Sequence, residues 1–287
     1  MLLVAAGISI GDALVVERNS PGLVPSMKQD FVNAYGLDLA FIQTVASFPL
    51  LRAPGAITFS PTGDVLIGEF CDPSPCTQIE RYDSSGNANP FGAPIHDTVQ
   101  SMQFVASGDL IVLQSGVLNR FDADGRWIKS VPLPIATLFA GFDVDRDQCT
   151  VAFTGLDKVG ITNLCSDGAA TELLPVFGNF FDVRFLPNEN ILVASRGVLL
   201  EVDRHGRTLR RFLTSEEDYG ELALDPDGTS FRTTANNRLF RFDLVTGNPI
   251  GQPAQLRNCV YGARSMAIRG EWRAAMHPAP HRRSVLH

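Results

Sequence analysis

ELALDPDGTSFRTTANNRLFRFDLVTGNPI, residues 221–250, reads as three short strands and the approach to a fourth. Leu222 and Leu224 fall on one face of the first strand at period two. Asp225-Pro226-Asp227-Gly228 is a turn, with φ preset by proline and the end opened by glycine. Thr229 to Ala235 is a second strand, and Asn236-Asn237 suits a two-residue hairpin because Asn tolerates positive φ. Leu239-Phe240-Arg241-Phe242 is the third strand. Asp243 opens another turn that Gly247 closes.

Most of the chain is a loose copy of this unit. The residue after the first turn is Asp64, Asp109, Cys149, Asn190 and Thr229, at steps of 45, 40, 41 and 39. The second-turn glycine is Gly36, Gly86, Gly125, Gly168, Gly206 and Gly247, at steps of 50, 39, 43, 38 and 41. The third strand recurs as Ile79-Glu80-Arg81-Tyr82-Asp83, Leu118-Asn119-Arg120-Phe121-Asp122 and Leu200-Glu201-Val202-Asp203. Four strands repeated about every 40 residues is the signature of propeller blades. The expected fold is all-β: a six-bladed β-propeller of four-stranded antiparallel blades. Ser265-Met266-Ala267-Ile268-Arg269 is expected to return to blade 1 and close the ring, removing exposed edges. One domain is expected over residues 1–272, with residues 273–287 as a disordered tail. The apolar start, Met1 to Ile10, lacks a basic flank and a cleavage site for a signal peptide and reads as an inner or second strand of blade 1.

The chain has 287 residues, 45% of them hydrophobic, which is enough for a core. Lys+Arg 24 against Asp+Glu 31 gives −7, with a pI near 5.2. That balance disfavours nucleic acid as the main partner. No stretch approaches the roughly 18 apolar residues of a membrane helix, so no membrane span is expected.

Cys149 and Cys165 lie on the second and third strands of one blade, almost opposite each other about the hairpin near residues 155–158. Opposed positions have Cβ atoms about 4.5–5.5 Å apart, close to disulfide geometry. Cys71 and Cys76 bracket the equivalent hairpin of blade 2 as a second candidate pair. Two such pairs point to an oxidising, extracytoplasmic compartment, periplasmic or secreted. Cys259 is left over. A zinc site is not expected, because no second Cys or His pair stands at ligand spacing.

The turns Ser60-Pro61-Thr62-Gly63-Asp64-Val65-Leu66-Ile67 and Asp225-Pro226-Asp227-Gly228-Thr229 resemble those of the NHL-type and related YncE- or lactonase-like six-bladed β-propellers of bacteria. The resemblance covers about residues 11–272 and specifies a blade. It implies a ligand- or protein-binding scaffold, often secreted, or one of a few metal-dependent hydrolases and lyases. Fold alone does not choose between them.

In propellers of this kind the first strands surround a central channel. Ile57, Met102, Phe142, Val183 and Leu222 are their apolar positions, and alternation turns a polar set the other way. The channel candidates are therefore Gln103, Asp143, Asp182, Arg184 and Glu221, with Glu17 and Glu69 beside them. Three carboxylates near one axis suit Ca²⁺, the one cofactor considered possible; the alternative is a structural ion-pair network between blades. Asp143-Val144-Asp145-Arg146-Asp147 has calcium-loop spacing, but Gln148 and Thr154 stand where an EF-hand needs Gly and Glu. Histidine is scarce: His205 sits in a turn away from the candidate site and His96 stands alone in an inter-blade connection. No nucleophile elbow or phosphate loop is present.

Two functions remain. The favoured one is a monomeric, non-enzymatic scaffold binding a protein or extended ligand on its loop face. The loops at residues 19–29 and 71–76 would then be the contact surface. The alternative is a Ca²⁺-dependent lactonase- or lyase-like hydrolase with Asp143, Asp182 and Glu221 around the channel.

Overall fold

A computed structural model describes residues 7–17, 30–48, 53–70, 79–92, 97–135, 140–166, 171–176, 178–212, 219–257 and 263–277. The strands form six separate four-stranded antiparallel sheets, arranged as a β-propeller. In blades 2 to 6 the four strands follow chain order from the channel outward. Blade 1 is built from both ends of the chain: Ala263–Ile268 is innermost, followed by Ala13–Glu17, Asp30–Tyr35 and Phe41–Phe48. Ala13 opposes Ile268 and Val16 opposes Ser265 in that closing ladder. The innermost place is thus filled by the late strand. Residues 7–10, expected to be strand, form turn and irregular structure instead.

The core is six clusters, each between two neighbouring blades. Ile57 packs into the blade 1–2 cluster, Phe142 into 3–4 and Leu222 into 5–6. In the last cluster Ala223 and Leu239 of blade 6 meet Val15, Tyr35 and Met266 of blade 1. Arg232, fully buried, ties the same junction: its Nε donates to Asp225 at 3.0 Å and its Nη1 to the Gly36 carbonyl at 3.0 Å.

The repeat is visible in backbone detail. The turn after each inner strand ends on a left-handed residue, Gly63, Gly108, Gln148, Glu189 or Gly228. The turn after the third strand does so at Gly86, Gly125, Gly206 and Gly247. In blade 1 that place belongs to Leu39 (φ 66°), whose N–H reaches the Gly36 carbonyl. Gly36 therefore opens its turn where Asp83 opens the next, which accounts for three residues of the long first step.

One corner of the blade is fixed in several ways. Asp64 pairs with Arg81 at 2.5 Å and Asp109 with Arg120 at 2.6 Å, while Asn190 donates to Glu201 at 2.6 Å. In blade 4 the same corner carries the expected disulfide, Cys149–Cys165, with Cα atoms 5.2 Å apart. The proposed Cys71–Cys76 pair, Cys259 and His96 lie outside the described residues.

The tail boundary moves. Residues 273–277 are ordered, with a 3-10 helix at Ala274–Met276. Ala274 joins the blade 4–5 cluster and Ala275 the blade 3–4 cluster, so apolar burial carries the chain past Trp272. The segment leaves blade 1 and crosses the channel mouth on the side of the inner-strand turns. There Gln148 Nε2 donates to the Ala275 carbonyl and Arg146 stacks over the Trp272 ring.

Candidate functional site

An innermost strand has no ladder partner on its channel side, so alternate N–H groups there need other acceptors. Side chains of the preceding blade supply them. Ser265 Oγ accepts from Ile57 N at 3.1 Å, and Gln103 Oε1 from Val144 N at 3.3 Å. Asp143 Oδ2 accepts from Phe185 N, and Asp182 Oδ2 from Leu222 N, both at 2.8 Å. Glu271 Oε1, from the segment after the closing strand, accepts from Leu224 N at 3.2 Å. Of the polar channel positions read from the sequence, Gln103, Asp143 and Asp182 are thus latches from blade to blade.

Their charges are matched in the same place. Arg184 Nη1 lies 2.7 Å from Asp182 Oδ1, and its Nε 3.2 Å from Glu271 Oε1. Arg273 holds Glu271 Oε2 at 2.8 Å and reaches Asp143 Oδ1 at 3.8 Å. Gly141 makes room for this: a Cβ there would stand 2.1 Å from Asp182 Oδ1.

Burial pushes the Asp143 carboxyl up to about 6, against the pull of Arg184 and Arg273. Burial also raises Asp182, opposed by Arg184 and the Leu222 N–H. Glu221 stands well above the carboxylate range, through burial first and then the charge of Asp182. For Arg184 burial works against the charge, but Asp182, Glu271 and Asp143 more than offset it and raise its pKa.

The structure brings Gln103, Asp143, Asp182, Arg184 and Glu221 together around the channel. Glu17 and Glu69 lie elsewhere, at the far ends of their second strands toward the strand 2–3 loops. Glu17 is fully buried and accepts from Tyr35 Oη at 2.5 Å. Sequence reading missed Glu271 and Arg273, which follow the last strand and carry no repeat period. The one available signal was their position directly after the closing strand.

The acidic run in blade 4 diverges rather than converging. Asp143 faces blade 5, Asp145 pairs with Arg204 at 2.6 Å, and Asp147 caps the N–H groups of Cys149 and Thr150. Among the described residues no group of three or more His, Cys, Asp or Glu is placed to hold a metal ion. Both Asp182 oxygens are already engaged, so the three channel carboxylates do not offer a ready oxygen cage for Ca²⁺. His205 is exposed in its turn, and His277 stacks on Trp272. Among the described residues no helix is long and apolar enough to cross a membrane.

No protein-family model matches the chain, and no curated protein matches it. Solved structures do. A chain of the nidogen/laminin complex superposes with a TM-score of 0.68 at 11% identity, over 90% of this chain and 98% of that one. A Bacteroides caccae protein of unknown function gives 0.64 at 11% identity, over 91% and 100%. A streptogramin B lyase gives 0.57 at 16% identity, over 71% and 68%. At these identities the likeness establishes the β-propeller fold and nothing finer.

Proposed function

We propose that this propeller is a non-enzymatic binding scaffold that takes a protein or extended ligand on the face where second and third strands join. The observation that carries the reading is the commitment of the channel acids: Asp143 and Asp182 each hold a backbone N–H of the next blade, and Glu271 holds the Leu224 N–H of blade 6. Groups spent on holding blades together are poor candidates for binding substrate. The second strands Ala13–Glu17 and Val65–Phe70 run toward that face, and the loops at residues 19–29 and 71–76, which lie outside the described residues, are the proposed contact surface. The nidogen/laminin likeness supports such a role by analogy, since that propeller comes from a protein complex. The Cys149–Cys165 disulfide is consistent with an extracytoplasmic site of action.

The second reading, a Ca²⁺-dependent lactonase- or lyase-like hydrolase, has one observation in its favour: Asp143 Oδ1 is buried without a hydrogen bond. Thermal unfolding in EDTA and in millimolar Ca²⁺ separates the two. A ligand at 100 times its Kd adds about 2.7 kcal/mol, a clear rise in Tm. The scaffold reading expects no such rise, and it expects shortening of the 19–29 or 71–76 loop to abolish capture of a partner. A Ca²⁺-dependent rise that disappears in Asp143→Ala would replace it with the hydrolase.

A further inference from the structure

The C-terminal segment covers the part of the turn-side mouth over blades 4 to 6 and leaves a cavity of about 360 Å³ over blades 1 to 3. That is the small end of the range for small-molecule sites, about 300–1,000 Å³. Its apolar walls are Ile10, Phe59, Phe104, Ile268 and Met276. Against them stand the guanidinium groups of Arg269 and Arg273, the Thr58 hydroxyl and Glu271.

The polar groups have donors to spare. Arg269 gives one N–H to the Ile8 carbonyl, and no carboxylate pairs with it among the described residues. Gly63, at φ +90°, leaves space for its Nη2, which a Cβ would approach to 3.3 Å. Thr58 is nine-tenths buried, and its hydroxyl makes no hydrogen bond among the described residues. Arg273 uses Nε and Nη2 on Glu271, leaving Nη1 no closer than 3.8 Å to Asp143. Glu271 is neutralised in turn by Arg184 and Arg273, so it does not set a net negative charge against an incoming anion.

We propose that this cavity binds a small organic acid, its carboxylate on Arg269 and Thr58 and its apolar body between Phe59 and Phe104. A planar, unpaired guanidinium is the side chain best matched to a carboxylate. The walls would bury a ring or short alkyl chain. The site is separate from the loop-face scaffold reading and does not rest on it.

The test is calorimetric titration of the whole protein with 3-phenylpropanoate and with its neutral amide. A charge-assisted hydrogen bond contributes about 1.5–3 kcal/mol, so the acid should bind about tenfold or more tighter than the amide. Arg269→Gln should remove that preference. Thr58→Val, which leaves the Arg269–Ile8 bond intact, should weaken acid binding more than amide binding. Should Arg269→Gln fail to fold, the acid–amide comparison on the unaltered protein and the Thr58→Val variant still decide. Equal binding of acid and amide, unchanged acid binding in a folded Arg269→Gln, or no saturable heat at millimolar acid would each overturn the proposal.

Discussion

Asp182 and Leu222 belong to neighbouring blades, and the carboxylate of the first accepts the N–H of the second at 2.8 Å while also holding Arg184 at 2.7 Å. A single side chain therefore closes a sheet edge and neutralises a buried cation. Asp182→Ala would orphan the Leu222 N–H and leave Arg184 with Glu271 as its remaining close carboxylate. Loss of one partner from a buried pair costs about 3–5 kcal/mol, and the urea midpoint should fall accordingly. Asp182→Asn keeps an acceptor for Leu222 and should cost less. A midpoint unmoved by Asp182→Ala would contradict the latch role.

Stability should depend on pH through Asp143. Its folded pKa, about 6, lies above the ordinary 3.8, so between these values the folded state holds a proton that the unfolded state has lost. Stability then falls as pH rises from about 4 to about 6, by at most roughly 3 kcal/mol. Burial of Glu221 and Asp182 acts in the same direction. The depressed surface groups Asp203 and Asp243 contribute stability lost only as pH falls below the ordinary carboxylate range. Asp143→Asn should flatten the slope from pH 4 to 6 in a series of Tm measurements.

The disulfide closes a loop between positions 16 apart in sequence. Chain-entropy arguments put such a cross-link at about 3 kcal/mol. Cys149→Ser with Cys165→Ser should lower the denaturant midpoint by that order, and reductant should have the same effect on the unaltered protein alone. An effect of reductant on the double variant would reveal a second bridge.

Ending the chain after Trp272 should be destabilising. It would remove Arg273 from Glu271 and Asp143, take the Ala275 carbonyl from Gln148, and expose two core clusters where Ala274 and Ala275 sit. Each orphaned buried polar group costs about 1–3 kcal/mol. Ending it after His277 instead should leave these contacts in place. Differential scanning calorimetry of the two truncations would show the contrast.

The blades were legible because their turns impose chemistry that recurs: Pro, Asp and Gly at the same corners, and left-handed residues at the same offset. The closing strand Ala263–Ile268 was legible because a ring needs a final partner. The Cys149–Cys165 pair followed from hairpin symmetry, although the bridge joins Cys149 to the neighbour of its opposite residue, Leu164. The channel residues were also readable from alternation, and an ion-pair network between blades was one of the two uses read for them, but their capture of backbone N–H groups from the next blade was not. Whether a carboxylate serves a ligand or a neighbouring backbone depends on how near the next blade stands. Gly141 shows why: nothing in the sequence says that its missing side chain admits Asp182. Glu271 and Arg273 lay beyond the last repeat, where periodicity gives no guidance. The start at residues 7–10 misled because apolar character alone cannot tell a strand from a turn in which only Ile8 is buried.

Blade 1 has a further consequence, for the order in which the chain is made. Ala13–Glu17, five fully buried residues, precedes the other described strands in the chain, yet its inner neighbour arrives only at Ala263–Ile268, after the other five blades. Throughout elongation this strand has one bare, apolar edge, the kind that recruits other chains. The growing propeller is thus most exposed to misassembly at Ala13–Glu17, and growth conditions that delay completion should favour aggregates nucleated there.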